Sequence, residues 1–228
     1  LTYLNYDKIL NYFTNKEWEI ADSVGKVGFS NYLDVCGTSS NFFVIDNDGI
    51  TGYSNIVKEN LKKGDVVFKN VISASESDYA IIIEKDSANI YVFSGNELVW
   101  SNNINNASVL GAYINKNGYA AVIYSQTGYK SLIKVFSNTG EELFTNFLAS
   151  TYAIDVAISN DNKVLAIAEI DTNGINVESR IKFVDIKNAS ENNVKKYNLV
   201  ANELVTDIEF GEDNKLIIMT DVGIKLLE

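Results

Sequence analysis

Apolar and polar positions along the chain follow a grammar that returns five times. A turn-forming stretch, Ser30-Asn31-Tyr32-Leu33, Ser77-Asp78-Tyr79-Ala80, Asn117-Gly118-Tyr119-Ala120, Asp161-Asn162-Lys163-Val164 or Asp213-Asn214-Lys215-Leu216, runs directly into an apolar segment. Those segments, at 33–36, 80–83, 120–123, 164–167 and 216–219, are rich in β-branched or small apolar residues. Continuous apolar runs of this length between turn signals predict strands buried on both faces. Upstream of several turns lies another strand pattern, at 109–114 and 154–158. Downstream, 90–100 and 133–144 share a third pattern: strand, Gly/Asn turn, acidic residue, then a strand closing on Trp100 or Phe144. Residues 42–50 read as the same hairpin in an earlier repeat, and 181–186 as its third strand in a later one. Gly and Asn suit such hairpins because they tolerate positive φ.

The second residues of the five turns are 31, 78, 118, 162 and 214, which lie 47, 40, 44 and 52 residues apart. A period of about 40–50 residues carrying β-strands is the spacing of propeller blades. The expected fold is therefore all-β, a β-propeller of four-stranded antiparallel blades in a single domain spanning 1–228. Residues 9–20 read as the outer half of a blade and 204–219 as the inner half of one. Five blades are expected, the last closed by both termini, which would leave no open sheet edge. Residues 223–227 also carry a third-strand pattern that competes with 9–13, so six blades or a shortened ring is the alternative. Residues 55–69 fit no strand of the repeat and read as an inserted loop or short helix.

The hairpins ending in Glu97-Leu98-Val99-Trp100, Lys16-Glu17-Trp18 and Gly140-Glu141-Glu142-Leu143-Phe144 resemble those of the pyrroloquinoline-quinone-like and WD40-like repeat propellers. The resemblance runs over nearly the whole chain. The pattern is also similar to an uncharacterised clostridial family of membrane-anchored propeller-like proteins, which implies an extracytoplasmic location and no particular activity. Leu1 is not an initiator Met and opens no signal-peptide profile, so an anchor or signal ahead of it is expected, with a cytoplasmic location as the alternative. No stretch of about 18 apolar residues occurs, so a membrane would be reached only through a segment outside this chain.

Composition narrows the chemistry. The net charge of −11 and pI near 4.5 argue against nucleic acid, which needs clustered cations. The chain has no proline, one arginine (Arg180) and 29 asparagines. A single Arg leaves little capacity for bidentate recognition of phosphate or carboxylate. Cys36 is the only cysteine, so no internal disulfide is possible. With no activating neighbour in sequence it reads as a structural thiol. There is no histidine, which removes Ser-His-Asp and Cys-His pairs and His-bearing zinc sites. Phosphate-binding glycine loops are absent as well. No cofactor, metal or catalytic residue is expected.

Carboxylates are the chemistry that remains. Asp155 in an inner strand, with Glu169 and Asp171 at the end of a second strand, could form an acid–base pair for glycosidic cleavage if suitably spaced. Their plain reading is channel and loop charges. The Asp/Asn-Gly loops at 46–49 and 171–174 place Val44 or Arg180 where a calcium loop needs an oxygen ligand, so they read as Asx turns. Recognition is expected instead on the loops joining second to third strands, at 85–89, 125–130 and 171–179, since rigid scaffolds commonly carry function on such loops. The candidate contact residues are Tyr124, Gln126, Tyr129, Asp171 and Asn173. The expected function is a non-enzymatic binding or scaffold module acting on a protein partner. The alternative is a carbohydrate- or cell-wall-binding propeller or degenerate glycosidase.

Overall fold

In the computed structural model, residues 31–54, 59–64, 66–188, 194–199 and 203–228 are described. They form five antiparallel sheets, numbered here as blades in chain order. Blade one holds β1 (Tyr32–Gly37), β2 (Asn41–Asp46), β3 (Gly49–Ser54) and β4 (Glu59–Lys63). Blade two holds β5 (Val71–Glu76), β6 (Tyr79–Glu84), β7 (Asn89–Ser94) and β8 (Glu97–Asn103). Blade three holds β9 (Ser108–Ile114), β10 (Ala120–Gln126), β11 (Tyr129–Phe136) and β12 (Glu142–Leu148). Blade four holds β13 (Thr151–Ile158), β14 (Val164–Asp171), β15 (Glu178–Asp185) and β16 (Val194–Asn198). Blade five holds β17 (Val205–Phe210), β18 (Leu216–Thr220) and β19 (Gly223–Leu227). Within each blade the strands pair in chain order, and the first strands of successive blades are neighbours in space. The result is a β-propeller with β1, β5, β9, β13 and β17 around its axis.

The unbroken apolar runs have a simple cause. Successive side chains of a strand point to opposite faces, and the second strands β6, β10 and β14 are each sandwiched between two other blades. Ala80 and Ile82 of β6 join the core shared with blade one, while Ile81 and Ile83 join the core shared with blade three. In β10, Ala120, Val122 and Tyr124 face blade two; Ala121 and Ile123 face blade four. In β14, Leu165 and Ile167 face blade three; Ala166 and Ala168 face blade five. Each fully buried Ile or Leu contributes about 1.5–3 kcal/mol relative to exposure, so the seams hold the ring.

Most predicted strands stand where expected, with three corrections. In the first repeat the segment 33–36 lies in the inner strand β1, not in a second strand, and Val35 is half exposed. The buried run there is Phe43 to Ile45 in β2, so the hairpin at 42–50 joins second to third strands rather than third to fourth. The unassigned stretch after residue 54 contains the strand β4. In the last blade the third-strand place is taken by β19, from residues 223–227, and not by residues 9–13. The predicted elements within 9–20, including Trp18, lie outside the described residues.

One turn type repeats on the rim where first strands meet second strands. In blades three, four and five the N–H of Gly118, Asn162 and Asn214 each donates to the carbonyl three residues earlier, at 2.9 Å, on Asn115, Ser159 and Gly211. All three turn residues have positive φ, the conformation that only Gly, and to a lesser degree Asn, adopts cheaply. Side chains then link these turns across the seams. Asn115 Nδ2 donates to Asn162 Oδ1 at 2.7 Å and Ser159 O at 3.2 Å. Asn117 Nδ2 donates to Asn160 O at 2.7 Å, and Asn160 Nδ2 to Gly211 O at 2.8 Å.

Candidate functional site

The opposite rim gathers polar and aromatic side chains between blades three and four. The turn at 127–128 starts β11 with Tyr129 and Lys130, and the blade connection starts β13 with Thr151 and Tyr152. The β14–β15 loop, residues 172–177, closes over the same place. Lys130 Nζ donates to Thr172 Oγ1 and Asn173 Oδ1, both at 3.2 Å, and lies 4.8 Å from the centre of the Tyr152 ring. That is a cation–π distance. Tyr129 packs on Phe147 with ring centres 5.1 Å apart, and both rings are largely open to solvent.

Asp171 organises the loop beside this cluster. Its Oδ1 accepts from Asn173 N at 2.9 Å and from Asn173 Nδ2 at 2.8 Å, and Asn173 Nδ2 also reaches Ser150 O at 2.8 Å. The Asn173 backbone N–H is the main reason the Asp171 carboxyl sits below its usual pKa. Behind it, Arg180 Nε donates to Glu169 Oε2 at 2.8 Å, with Arg180 Nη1 4.0 Å from Asp171 Oδ2. Glu169 is 1% exposed and its Oε1 meets no donor among the described residues. The tip of the loop presents Ile175 fully to solvent.

Of the sequence candidates, Asp171 and Asn173 are therefore bonded to each other, with Tyr129 on the neighbouring turn. Gln126 is exposed and pairs in register with Tyr129. Tyr124 is 3% exposed inside the core between blades two and three, and burial pushes its phenol pKa up. It offers no surface to a partner. The reason is positional: Tyr124 continues the doubly packed second strand for one residue beyond the predicted run. Lys130, Phe147 and Tyr152 were missed. Lys130 stands in a predicted loop and could have been found there, whereas Phe147 and Tyr152 come from strand ends that only folding brings to this rim.

A second group of residues lies on the inner strands. A β-bulge interrupts β1, β9, β13 and β17, leaving Leu33, Leu110, Ile154 and Thr206 out of register. Three of the four bulges are followed directly by an aspartate, Asp34, Asp155 or Asp207. Asp34 Oδ2 accepts from Ser73 Oγ at 2.6 Å across the seam of blades one and two. Asp155 Oδ2 accepts from Ile208 N at 2.9 Å, and its carboxyl meets that of Asp207. Burial first, and then Asp207, push the Asp155 pKa up to about 7. Asp155 thus turns to blade five, whereas Glu169 follows Leu165 and Ile167 on the face of β14 toward blade three. These two carboxyls cannot flank one glycosidic bond. The sequence held a signal for this group, because Leu33-Asp34-Val35, Ile154-Asp155-Val156 and Thr206-Asp207-Ile208 share one pattern. Cys36, also on β1, is buried, and its thiol pKa is raised by that burial.

With five sheets among the described residues, bulged inner strands and a loop-built rim, the fold is a β-propeller. The chain belongs to the family of unknown function DUF5711, which matches residues 8–228. No curated protein matches it. Among solved structures it is similar to Kluyveromyces lactis Hsv2, at 16% identity and a TM-score of 0.59, covering 91% of this chain and 76% of that one. It is similar to the C-terminal WD40 domain of Sif2, at 12% identity and 0.54, covering 86% and 55%. It is also similar to KlAtg21 in complex with the coiled-coil of AgAtg16, at 13% identity and 0.58, covering 88% and 68%.

Proposed function

We propose that this protein is a non-enzymatic binding or scaffold propeller that engages a protein partner through the rim between blades three and four. The observation that carries the reading is the exposed Tyr129–Phe147 ring pair on adjacent strands together with the Lys130 ammonium held over the Tyr152 ring and the exposed Ile175 on the next loop. Solvent-facing aromatics held in place by strands are the residue type enriched at the centre of protein interfaces. The similar KlAtg21 structure, described as a complex with a coiled-coil, supports a propeller of this shape serving as a protein-binding platform. An extracytoplasmic location, behind an anchoring segment, is supported by the resemblance to membrane-anchored propeller-like proteins and by nothing in the rim itself.

The test is affinity capture from cells with the wild-type chain and with Tyr129→Ala and Lys130→Ala variants. A protein held by the wild type and released at least ten-fold by either variant supports the reading. Retention of the same protein by both variants rejects this rim. Binding to a glycan array lost in Tyr129→Ala, with no protein captured, moves the assignment to the carbohydrate reading. Protease shaving of intact cells tests the location.

A further inference from the structure

The rim that carries the first-to-second-strand turns has a cavity of its own, of about 210 Å³. Its wall takes Glu76 from blade two, Tyr113 and Lys116 from blade three, Asn160 from blade four, and Glu209 and Glu212 from blade five. Blades as far apart as two and five meet only at the axis, so this is a mouth of the central channel. It lies on the opposite rim from Tyr129 and Lys130 and is independent of them.

The charges of this wall are unbalanced and unpaired. It holds three carboxylates and one ammonium. Among the described residues, Lys116 forms no ion pair, and Glu76, Glu209 and Glu212 make neither an ion pair nor a side-chain hydrogen bond. Elsewhere on the same rim lysines do find carboxylates: Lys163 reaches Asp161 at 2.9 Å and Lys215 reaches Asp213 at 3.5 Å. Glu209 and Glu76 nevertheless converge on the Tyr113 phenol. Burial foremost, then the charges of Glu209, Glu76 and Asp155, hold that phenol above its usual pKa, so it stays an uncharged polar group in the wall. Among the described residues no three carboxylates stand close enough to share one metal ion. Their spread suits an organic ligand with separated cationic groups, and Lys116 suits a carboxylate on that ligand. The volume lies below the roughly 300–1,000 Å³ of drug-sized pockets, which restricts the occupant to a small metabolite.

We propose that this axial cavity binds a basic α-amino acid, its carboxylate on Lys116, its two cationic groups among Glu76, Glu209 and Glu212, and its methylene chain along Phe210 and Ile217. Two cations and one carboxylate on the ligand answer three carboxylates and one cation on the wall. Contacts between ionised groups are the strong ones, and the net charge of −11 attracts a ligand of net positive charge. A diamine leaves Lys116 facing a second cation, and a neutral amino acid leaves carboxylates unanswered.

The experiment is calorimetric titration of the whole chain with L-lysine and L-arginine, each beside its decarboxylated amine (cadaverine and agmatine), and with norleucine. The better of the two amino acids should bind one-to-one, at least about ten-fold tighter than its own amine and than norleucine. Lys116→Ala should bring the amino acid down to the level of the amine without weakening the amine. Glu209→Gln should weaken both by about ten-fold. Glu97→Gln makes the same change of net charge on the exposed outer strand of blade two and should alter neither. Glu76→Gln takes the place of Glu209→Gln if that variant does not fold. No binding of either amino acid at about 1 mM overturns the proposal. So does an amine that binds as tightly as its amino acid, or an amino acid unaffected by Lys116→Ala, because either result marks a plain acidic patch. Equal losses in Glu209→Gln and Glu97→Gln overturn it as well, since net charge alone would then account for the binding.

Discussion

On one rim of this propeller, the turns before the second strands of blades three, four and five are the same object. Each closes with an N–H to carbonyl bond of 2.9 Å onto the residue three earlier, and asparagine side chains tie each turn to the next. On the other rim, the loops after the second strands share little. Blade three uses residues 127–128, blade four 172–177 and blade five 221–222. The turn repeats in blades three to five because each of these turns meets its neighbour in the same way. The second rim is free to vary because its loops end in solvent, and there the aromatic–cation cluster has been built. Asparagine shows the difference at single-residue scale. Asn115 is 1% exposed and all its hydrogen-bonding capacity is spent within and between blades. Asn173 makes bonds of similar length at an exposed loop, where water can replace them.

The largest expected effect therefore falls on the stitched rim. Asn115→Ala removes bonds to Ser159, Asn162, Asn117 and Tyr119 and strands buried partners, which should cost about 2–4 kcal/mol in urea unfolding. An effect below 1 kcal/mol would show that the stitches are dispensable. Gly140→Ala comes next. Gly140 has a φ of 82°, and a Cβ there would lie 2.8 Å from the Trp100 ring of blade two. Overpacking plus left-handed strain should cost about 1–3 kcal/mol, read from the same unfolding curves, with Trp100 fluorescence reporting the seam directly.

On the variable rim the order of effects reverses between stability and binding. Tyr129→Ala should change stability by less than about 1 kcal/mol while lowering partner affinity at least ten-fold in a titration of the captured protein. Equal losses in both measurements would mean that Tyr129 is a packing residue. Asn173→Ala should cost less than about 1 kcal/mol, well under its counterpart Asn115. The smallest change is expected for Lys163→Ala, which breaks a 2.9 Å ion pair with Asp161 between two largely exposed side chains. Exposed pairs of this kind contribute under about 0.5 kcal/mol, and raising the salt concentration should erase even that.

What could be read from the chain follows the same division. The repeat, the second strands of blades two to four and the inner strands at 109–114 and 154–158 were legible because double burial writes itself as unbroken apolar runs between turns. The first repeat was misphased because Leu33 to Cys36 is as apolar as a second strand, although β1 carries a bulge at Leu33 and is covered on one side only. Among the candidate residues, Asn173 lies in the β14–β15 loop, Asp171, Gln126 and Tyr129 sit at strand ends beside the rim turns, and Tyr124 extends a buried strand.

The sequence by itself determined an all-β repeat of about 40–50 residues and the absence of histidine from the chain. These depend on local pattern and on residue type. Only the tertiary structure decided that Lys130 meets Tyr152 and Asn173, and that Asp155 meets Asp207. Those partners lie 22, 43 and 52 residues apart, in strands joined by the closing of one blade on the next. Side-chain distances across such seams depend on twist, bulges and register, which no local pattern encodes.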